Sequence, residues 1–211
     1  MRGWAAAAPE NFIFDLDGTL VDSLPGIKES VRCAIGGPVP PLRPLIGPPI
    51  REILRRLQPG IAEVELEGIT SRFRQAYDSG GWRNTVLQPG AIEVLAGIRA
   101  RGRRAFLVTN KPALATSRIL EALQIRQYFA SVLTRDSRTP PFGSKAEMLR
   151  CLVESRSLAP ARCLMVGDTA EDYAAAGEAG IEAMIVANGY GAPGEIPAAY
   201  RIASLWELGT R

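Results

Sequence analysis

Two carboxylates stand directly after an apolar stretch near the start of the chain. Residues 12–14 read Phe-Ile-Phe, a run typical of an interior strand, and Asp15 and Asp17 follow it. Residues two apart in a strand point the same way, so both carboxylates could face one small site. Gly18 then permits a sharp turn, which Thr19 could hold by hydrogen-bonding a nearby backbone group. A simple Asx-turn would explain one Asp-Gly pair, but it accounts poorly for a second Asp directly after the apolar run.

A second apolar run ends in side chains that suit a phosphate group. Residues 105–108 are followed by Thr109, Asn110 and Lys111, just before a predicted helix. The start of a helix offers free backbone N–H groups, which favour anions. Thr109 or Asn110 could instead merely cap that helix. Beside the two earlier carboxylates, phosphate binding is the preferred interpretation, with Lys111 expected at the rim of the site.

A third apolar run, residues 163–166, leads through a glycine to Asp168 and Asp172. If a helix starts by Thr169, these carboxylates can lie on one face of it, because residues four apart are neighbours on a helix. Acidic residues in a first helical turn are often only partners of the helix dipole. Four carboxylates at neighbouring strand ends nevertheless require a counter-ion, and oxygen ligands beside a phosphate favour Mg²⁺. The sequence therefore predicts a magnesium site that includes Asp15 and Asp17.

The composition excludes several other kinds of chemistry. The chain has 211 residues and no histidine, which removes Ser-His and Cys-His triads and imidazole metal ligands. The 25 basic and 22 acidic residues are spread along the chain, so nothing suggests a nucleic-acid partner. Residues 1–10 are too short for a signal-peptide core or a membrane span, and we interpret them as a frayed terminus. These observations predict a cytoplasmic protein with no membrane partner, either a monomer or a homodimer.

The order of predicted elements indicates the fold class. From residue 88 onward, predicted helices and strands alternate, which favours a parallel sheet with helices on both faces. Residues from about 24 to 84 instead show only helical periodicity, broken by proline-rich and glycine-rich stretches. We therefore predict an α/β fold, a Rossmann-like core of residues 1–23 and 85–211 with an inserted all-helical cap of residues 24–84.

The stretch Asp15-Leu16-Asp17-Gly18-Thr19-Leu20-Val21-Asp22-Ser23 resembles the signature of the haloacid dehalogenase-like hydrolase superfamily, most closely its phosphoglycolate phosphatase-like branch. The stretches ending in Thr109 and in Asp168 resemble the second and fourth motifs of that family. Residues 188–191 (Asn-Gly-Tyr-Gly) also resemble the branch, without a role that we assign. The resemblance spans residues 11–191, and the motifs occur in the expected order.

The resemblance implies a role for each motif residue. Asp15 would attack phosphorus and form an aspartyl-phosphate, and Asp17 would act as general acid and base. Thr109 and Asn110 would hold the phosphoryl group. The metal ligands would be Asp15, the backbone carbonyl of Asp17 and Asp168, with Asp172 and Thr19 in support.

Lys145 matches the third motif, a lone lysine that stabilises the nucleophile and the phosphate. It stands at a predicted helix start, where the dipole disfavours a cation unless an anion lies nearby. Relatives commonly have proline directly after this lysine, whereas here Pro140 and Pro141 precede it. A solvated Lys145 is the alternative, and Arg138 would then supply the cation.

The predicted cap contains a loop that resembles the segment contacting the leaving group in this branch. Gly47 permits close backbone approach, and Arg51 places a permanent cation in the first turn of the following helix. Arg51 or Arg43 would pair with an anionic leaving group, although a solvated surface role is the alternative for Arg51. The expected partner is thus a small phosphorylated metabolite, of a phosphoglycolate-like kind.

Other activities remain open from the sequence. A haloacid dehalogenase would not need Asp17, Thr19 or a metal, and a phosphonoacetaldehyde hydrolase would need a cap lysine, for which Lys28 is the one candidate. A sugar-phosphate mutase would use the same core, and a non-catalytic binding protein could have kept the fold. A Mg²⁺-dependent phosphatase, a phosphoric monoester hydrolase, is the function that we predict.

Overall fold

A computed structural model of the protein describes residues 8–191 and 196–209. The frayed terminus expected for residues 1–10 therefore falls mostly outside the described residues, as does part of the glycine- and proline-rich tail. Six parallel strands form one sheet in the order β5-β4-β1-β6-β7-β8. These strands are β1 (Asn11–Phe14), β4 (Arg104–Thr109), β5 (Phe129–Thr134), β6 (Cys163–Gly167), β7 (Glu182–Val186) and β8 (Arg201–Ile202).

The central strand β1 aligns the ends of its neighbours. Ile13 pairs in register with Phe106 of β4 on one side and with Met165 of β6 on the other. All three strands run parallel, so their carboxyl ends meet at one edge of the sheet. This register brings the residues that follow β1, β4 and β6 into one crevice.

Helices cover both faces of the sheet, as predicted. Phe12 and Phe14 face α4 (Ala91–Ala100), α5 (Ala113–Ala122) and α8 (Trp206–Gly209). Ile13 points to the opposite face, toward α6 (Lys145–Ser155) and α7 (Ala170–Glu178). Because alternate residues of β1 contribute to two separate apolar cores, the strand is buried on both faces. The predicted fold class is confirmed.

Residues 24–79 form a helical segment on the carboxyl edge of the sheet. It contains α1 (Leu24–Ile35), α2 (Ile50–Leu57) and α3 (Glu63–Ser79), which share their own apolar core. The segment is joined to the rest of the chain by a short antiparallel ribbon of β2 (Val21–Asp22) and β3 (Val86–Leu87). Among the described residues, no helix combines the length and the apolar character needed to cross a membrane.

The apolar runs at residues 12–14, 105–108 and 163–166 lie within β1, β4 and β6. The ribbon β2–β3 and the edge strand β8 were not predicted, because strands of two residues carry no readable periodicity. The proline-rich stretch after α1, expected to lack regular structure, contains a single 3₁₀ turn at Arg43–Leu45.

Candidate active site

Asp15 lies at the bottom of the crevice, directly after β1. Its backbone N–H donates to the carbonyl of Val166 (2.9 Å), and the residue is only 4% exposed. The Lys145 ammonium lies 3.1 Å from Asp15 Oδ1 and donates to Asp172 Oδ1 (2.6 Å). Lys145, the first residue of α6, is buried, so the alternative of a solvated lysine is wrong. Arg138 instead forms an ion pair with Glu147 at the surface, outside this group.

Burial and the neighbouring charges together set the pKa values of Asp15, Asp172 and Lys145. Burial raises the pKa of Asp15 well above its usual value, and the neighbouring carboxylates raise it further against the effect of Lys145. Burial alone would also raise the pKa of Asp172, but Lys145 and the hydrogen bonds from Thr169 hold it below its ordinary value. For Lys145, burial is outweighed by Asp15 and Asp172, so its pKa is raised and the ammonium stays charged.

Asp168 follows β6 and is held by donors from two distant segments. Thr19 Oγ1 donates to Asp168 Oδ1 (3.0 Å), and the backbone N–H of Tyr190 donates to Asp168 Oδ2 (2.7 Å). Burial and the neighbouring Asp172 raise the pKa of Asp168 to about 7. Asp172 forms a capping box with Thr169 at the start of α7, which fixes both carboxylates relative to the sheet.

The three buried carboxylates fit a divalent cation. Oxygen atoms of Asp15, Asp168 and Asp172 lie within 4.8 Å of one another. Asp15 Oδ1 is buried and has the Lys145 ammonium at 3.1 Å but no hydrogen-bond donor, so this carboxylate oxygen can accept a further ligand. An all-oxygen donor set of this kind suits Mg²⁺. Asp172 is already engaged by Lys145 and Thr169, and its supporting role at the metal stays a prediction.

Asp17 faces a second buried cation. The Lys111 ammonium lies 2.9 Å from both Asp17 carboxylate oxygens, and Ser23 Oγ also donates to Oδ1. Lys111 lies 4.8 Å from the ring centroid of Tyr77 on α3 and is only 7% exposed. The prediction that Lys111 lies at the rim is therefore wrong, because the helical segment covers it. Burial would lower the pKa of Lys111, but Asp17 and Tyr77 outweigh this and raise it.

Thr109 and Asn110 lie at the end of β4, and neither caps α5. Thr109 Oγ1 accepts from the backbone N–H of Lys111 (3.2 Å), and Asp136 accepts from the first N–H of α5 instead. Asn110 Nδ2 donates to the carbonyl of Gly47 (3.1 Å) and to Glu171 Oε1 (2.9 Å), while its Oδ1 is buried without a partner. Asn110 thus links the loop before α2 to the start of α7.

Arg43 and Arg51, the two arginines predicted to bind the leaving group, have partners within the protein. Arg51 forms an ion pair with Glu63, which also pairs with Arg55 (2.9 Å). Arg43 donates to the backbone carbonyls of Asn188 (3.0 Å) and Gly189 (2.7 Å). Arg51 still lines the cavity described below, whereas Arg43 does not.

Tyr190 is a site residue to which sequence reasoning assigned no role. Its hydroxyl accepts from the backbone N–H groups of Ser23 (2.7 Å) and Leu24 (3.0 Å) and donates to Asp22 (2.7 Å). It therefore holds the chain where α1 begins, while its own backbone holds Asp168. The resemblance of the Asn-Gly-Tyr-Gly stretch to the family was the one sequence signal for this residue. Its hydroxyl contacts Ser23 and Leu24, more than 160 residues away in sequence, so local patterns could not predict its role.

A cavity of about 620 Å³ lies between the helical segment and the edge of the sheet. Asp15, Asp17, Thr109, Asn110 and Lys111 line it from the strand ends. Residues of α2, α3 and the loop before α2 line it from the other side. The arrangement places the carboxylates of Asp15 and Asp17 and the Lys111 ammonium on one cavity, and Lys145 lies 3.1 Å from the Asp15 carboxylate.

This fold and this carboxylate arrangement define the haloacid dehalogenase-like hydrolases, and the chain belongs to that family. Residues 12–186 match the family described as haloacid dehalogenase-like hydrolase. The structure is similar to that of a predicted phosphatase from Clostridium acetobutylicum, with a TM-score of 0.86, 24% identity and coverage of 97% of this chain and 98% of that chain.

Individual relatives carry different names. The tyrosine-protein kinase PtkA of Mycobacterium tuberculosis is 38% identical over 191 residues, which cover 87% of this chain but only 64% of that protein. The solved structure of PtkA has a TM-score of 0.80 at 34% identity and covers 95% of this chain and 96% of that chain. A 5′-nucleotidase of Pseudomonas aeruginosa is 30% identical, with 94% of this chain and 91% of that protein covered. Phosphoglycolate phosphatase 1 of the same organism is 29% identical, with 89% and 72% covered.

Proposed function

We propose that the protein is a Mg²⁺-dependent phosphatase that hydrolyses small phosphate monoesters through an aspartyl-phosphate at Asp15. The observation that carries this proposal is the environment of Asp15, a buried carboxylate beside Lys145 with an oxygen that accepts no hydrogen bond. This carboxylate opens onto an enclosed cavity that Thr109 also lines. The family and the names of the phosphatase relatives agree with this activity.

Each residue of the site has a defined role in the proposed reaction. A carboxylate oxygen of Asp15 attacks phosphorus as the bond to the leaving oxygen breaks, and Asp17 gives that oxygen a proton. Water then attacks the aspartyl-phosphate, releasing phosphate and restoring Asp15, while Asp17 takes the proton back. Lys145 and Thr109 hold the phosphoryl oxygens. Mg²⁺ held by Asp15, Asp168 and the Asp17 carbonyl would neutralise charge on the phosphoryl group.

The Lys111 contact determines when Asp17 can act. The Lys111 ammonium lies 2.9 Å from both carboxylate oxygens of Asp17, so it occupies the positions through which Asp17 would give a proton to the leaving group. Proton donation to the leaving group therefore requires Asp17 to turn away from Lys111 toward the substrate. The helical segment supplies Tyr77, whose ring lies over Lys111. Substrate binding and movement of this segment would release Asp17 from Lys111.

We further propose that the helical segment is a cap domain of residues 24–84, with residues 1–23 and 85–211 as the core. Its separate apolar core and its position over the strand ends support this division. The phosphoglycolate-like substrate rests on the names of the phosphatase relatives. Arg51 could bind such an acid only by exchanging its Glu63 partner.

Hydrolysis of p-nitrophenyl phosphate tests the proposal. We expect turnover with Mg²⁺, none after chelation, and losses of roughly 10⁴-fold or more in kcat for Asp15→Asn and Asp17→Asn. Both variants should fold, because asparagine has nearly the same shape as aspartate. Near wild-type turnover by Asp15→Asn, with deamidation excluded by mass spectrometry, would refute the covalent mechanism.

A second candidate is phosphoryl transfer to a hydroxyl other than water. It is favoured by the 38% identity to a protein named tyrosine-protein kinase, higher than that to the named phosphatases. Incubation with γ-labelled ATP and a tyrosine-containing peptide separates the two candidates. Label on the peptide in excess of released phosphate would favour transfer, and free phosphate alone would favour hydrolysis.

A further inference from the structure

The cavity over Asp15 has an apolar wall whose part in the proposed reaction is limited to the contact of Tyr77 with Lys111. Ile53 of α2 and Phe73 and Tyr77 of α3 line it, and each is at most 7% exposed. The rings of Phe73 and Tyr77 stack with centroids 5.5 Å apart and planes 12° from parallel. Ile27 and Ala115 extend the same buried apolar surface. Such a surface contributes nothing to a phosphoryl group, so it must contact the rest of the substrate.

The dimensions of the cavity argue against a leaving group as small as glycolate. A volume of about 620 Å³ lies in the range of pockets that enclose drug-sized ligands. A two-carbon acid would fill only part of this volume. Arg51 and Lys111, two of the four cations that line the cavity, are engaged with Glu63 and Asp17, and Arg74 and Arg135 are the other two.

We infer that the cavity selects phosphate monoesters whose leaving group carries an aromatic body, in preference to glycolate-sized esters. The ring would lie against Phe73 and Tyr77 while the phosphate reaches Asp15. Offset stacking and burial of apolar area both favour this arrangement. The inference rests on the proposed function, because it assigns the substrate class of the same site.

Two matched esters test it. 2-Phenylethyl phosphate and ethyl phosphate both release a primary alcohol, so they differ mainly in the ring. With Mg²⁺ present, we expect kcat/KM for 2-phenylethyl phosphate to exceed that for ethyl phosphate by at least about tenfold, since even one methylene group in an apolar pocket is worth 10- to 200-fold. A ratio near one would overturn the inference while leaving the phosphatase proposal intact.

Variants of α3 test whether Phe73 causes the preference for the phenyl ester. Phe73→Leu keeps an apolar side chain in the cap core but removes the ring, and we expect it to lower the ratio by at least about threefold. Val64→Ala is the matched control, because Val64 lies on the same helix and is 84% exposed. An unchanged ratio in Phe73→Leu, with the variant folded, would remove Phe73 from the recognition surface and overturn the inference.

Calorimetry keeps this test independent of turnover. 3-Phenylpropylphosphonate and propylphosphonate replace the scissile oxygen by a methylene group, so their binding needs no catalysis. At least about tenfold tighter binding of the phenyl compound supports the aromatic cavity even if neither ester is hydrolysed, a result that would refute only the phosphatase proposal. Equal affinities would overturn the inference.

Discussion

Two buried ammonium groups orient the carboxylates of this site. Lys145 lies between Asp15 and Asp172, and Lys111 binds both oxygens of Asp17. Removing a charge from water is costly, so each lysine is stable only because its carboxylate partners are present. Replacing either lysine should therefore destabilise the carboxylate that it pairs with and alter the position of that carboxylate.

Lys111→Met tests this dependence at Asp17. Methionine keeps the length of the side chain but leaves a mostly buried carboxylate without its cation. We expect a loss of about 1–3 kcal/mol in the free energy of unfolding, measured by urea denaturation. We also expect kcat to fall roughly tenfold or more, because Lys111 no longer fixes Asp17 at the position from which it turns toward the substrate. Lys28→Met, at an exposed position, is the control. A Lys111→Met variant as stable and active as this control would contradict the assignment.

At the scale of elements, close backbone approach fixes the turn after β1. Gly18 has a φ of +85°, and a Cβ built there would lie 2.2 Å from Asp168 Oδ2. Gly36, which ends α1, also has a positive φ of +71°, but a Cβ there meets nothing within 4 Å. The two glycines thus share a left-handed conformation and differ in what surrounds them.

The alanine variants of these glycines separate the two effects. Gly36→Ala should cost only the conformational strain of about 1–2 kcal/mol, with kcat/KM unchanged. Gly18→Ala should cost more and should also reduce kcat/KM at least about tenfold, because the new methyl group displaces the Asp168 carboxylate. Equal losses of stability, with activity retained in both variants, would show that the approach of Gly18 to Asp168 is unimportant.

The start of α6, which carries Lys145, is fixed by Glu147. Its carboxylate accepts from the backbone N–H of Gly143 (2.7 Å) and pairs with Arg138, and these contacts lower its pKa. A lowered pKa in the folded state means that the stabilisation is present at neutral pH and is lost as the pH falls through that value.

Glu147→Gln should therefore lower the melting temperature at pH 7, and the difference from wild type should shrink below about pH 4.5, where the unfolded carboxylate begins to protonate. Glu154→Gln, at an exposed position of the same helix, serves as the control. A difference that persists unchanged in acid would mean that the charge of Glu147 is not the cause.

Positions that depend on residues nearby in sequence were predicted correctly, whereas contacts between distant elements were not. Asp15 and Asp168 were assigned to one site because parallel strands bring their ends to the same edge, so local pattern and topology sufficed. Lys111 was misplaced because its burial depends on Tyr77, which comes from a different element. The Arg51–Glu63 pair joins two helices, and no spacing rule within one helix predicts it.

At the scale of the whole molecule, ligand binding and folding are linked. Carboxylates from β1 and β6 form the candidate metal site, so a bound ion and phosphoryl mimic would join distant segments of the chain. Mg²⁺ with fluoroaluminate at about 100 times its dissociation constant should stabilise the protein by about 2.7 kcal/mol. For a chain of this size that corresponds to a rise of roughly 5–10 °C in melting temperature.

Asp168→Ala should abolish this rise, as measured by differential scanning calorimetry. Mg²⁺ alone and fluoride alone are the controls for non-specific ion effects. A rise of the same size in Asp168→Ala would exclude Asp168 from the metal site.

The ribbon formed by β2 and β3 has a consequence for how such a chain can be altered. Val21 pairs with Leu87 and Asp22 pairs with Val86, so the two points where the chain leaves and re-enters the sheet region are neighbours on one ladder. A two-residue hairpin turn would join these strands directly. The length of the helical segment between these strands is therefore independent of the register of the six-stranded sheet, because the ribbon holds both ends of the segment together. At the ribbon, a helical segment with different cavity-lining residues can be joined to the same carboxyl edge of the sheet.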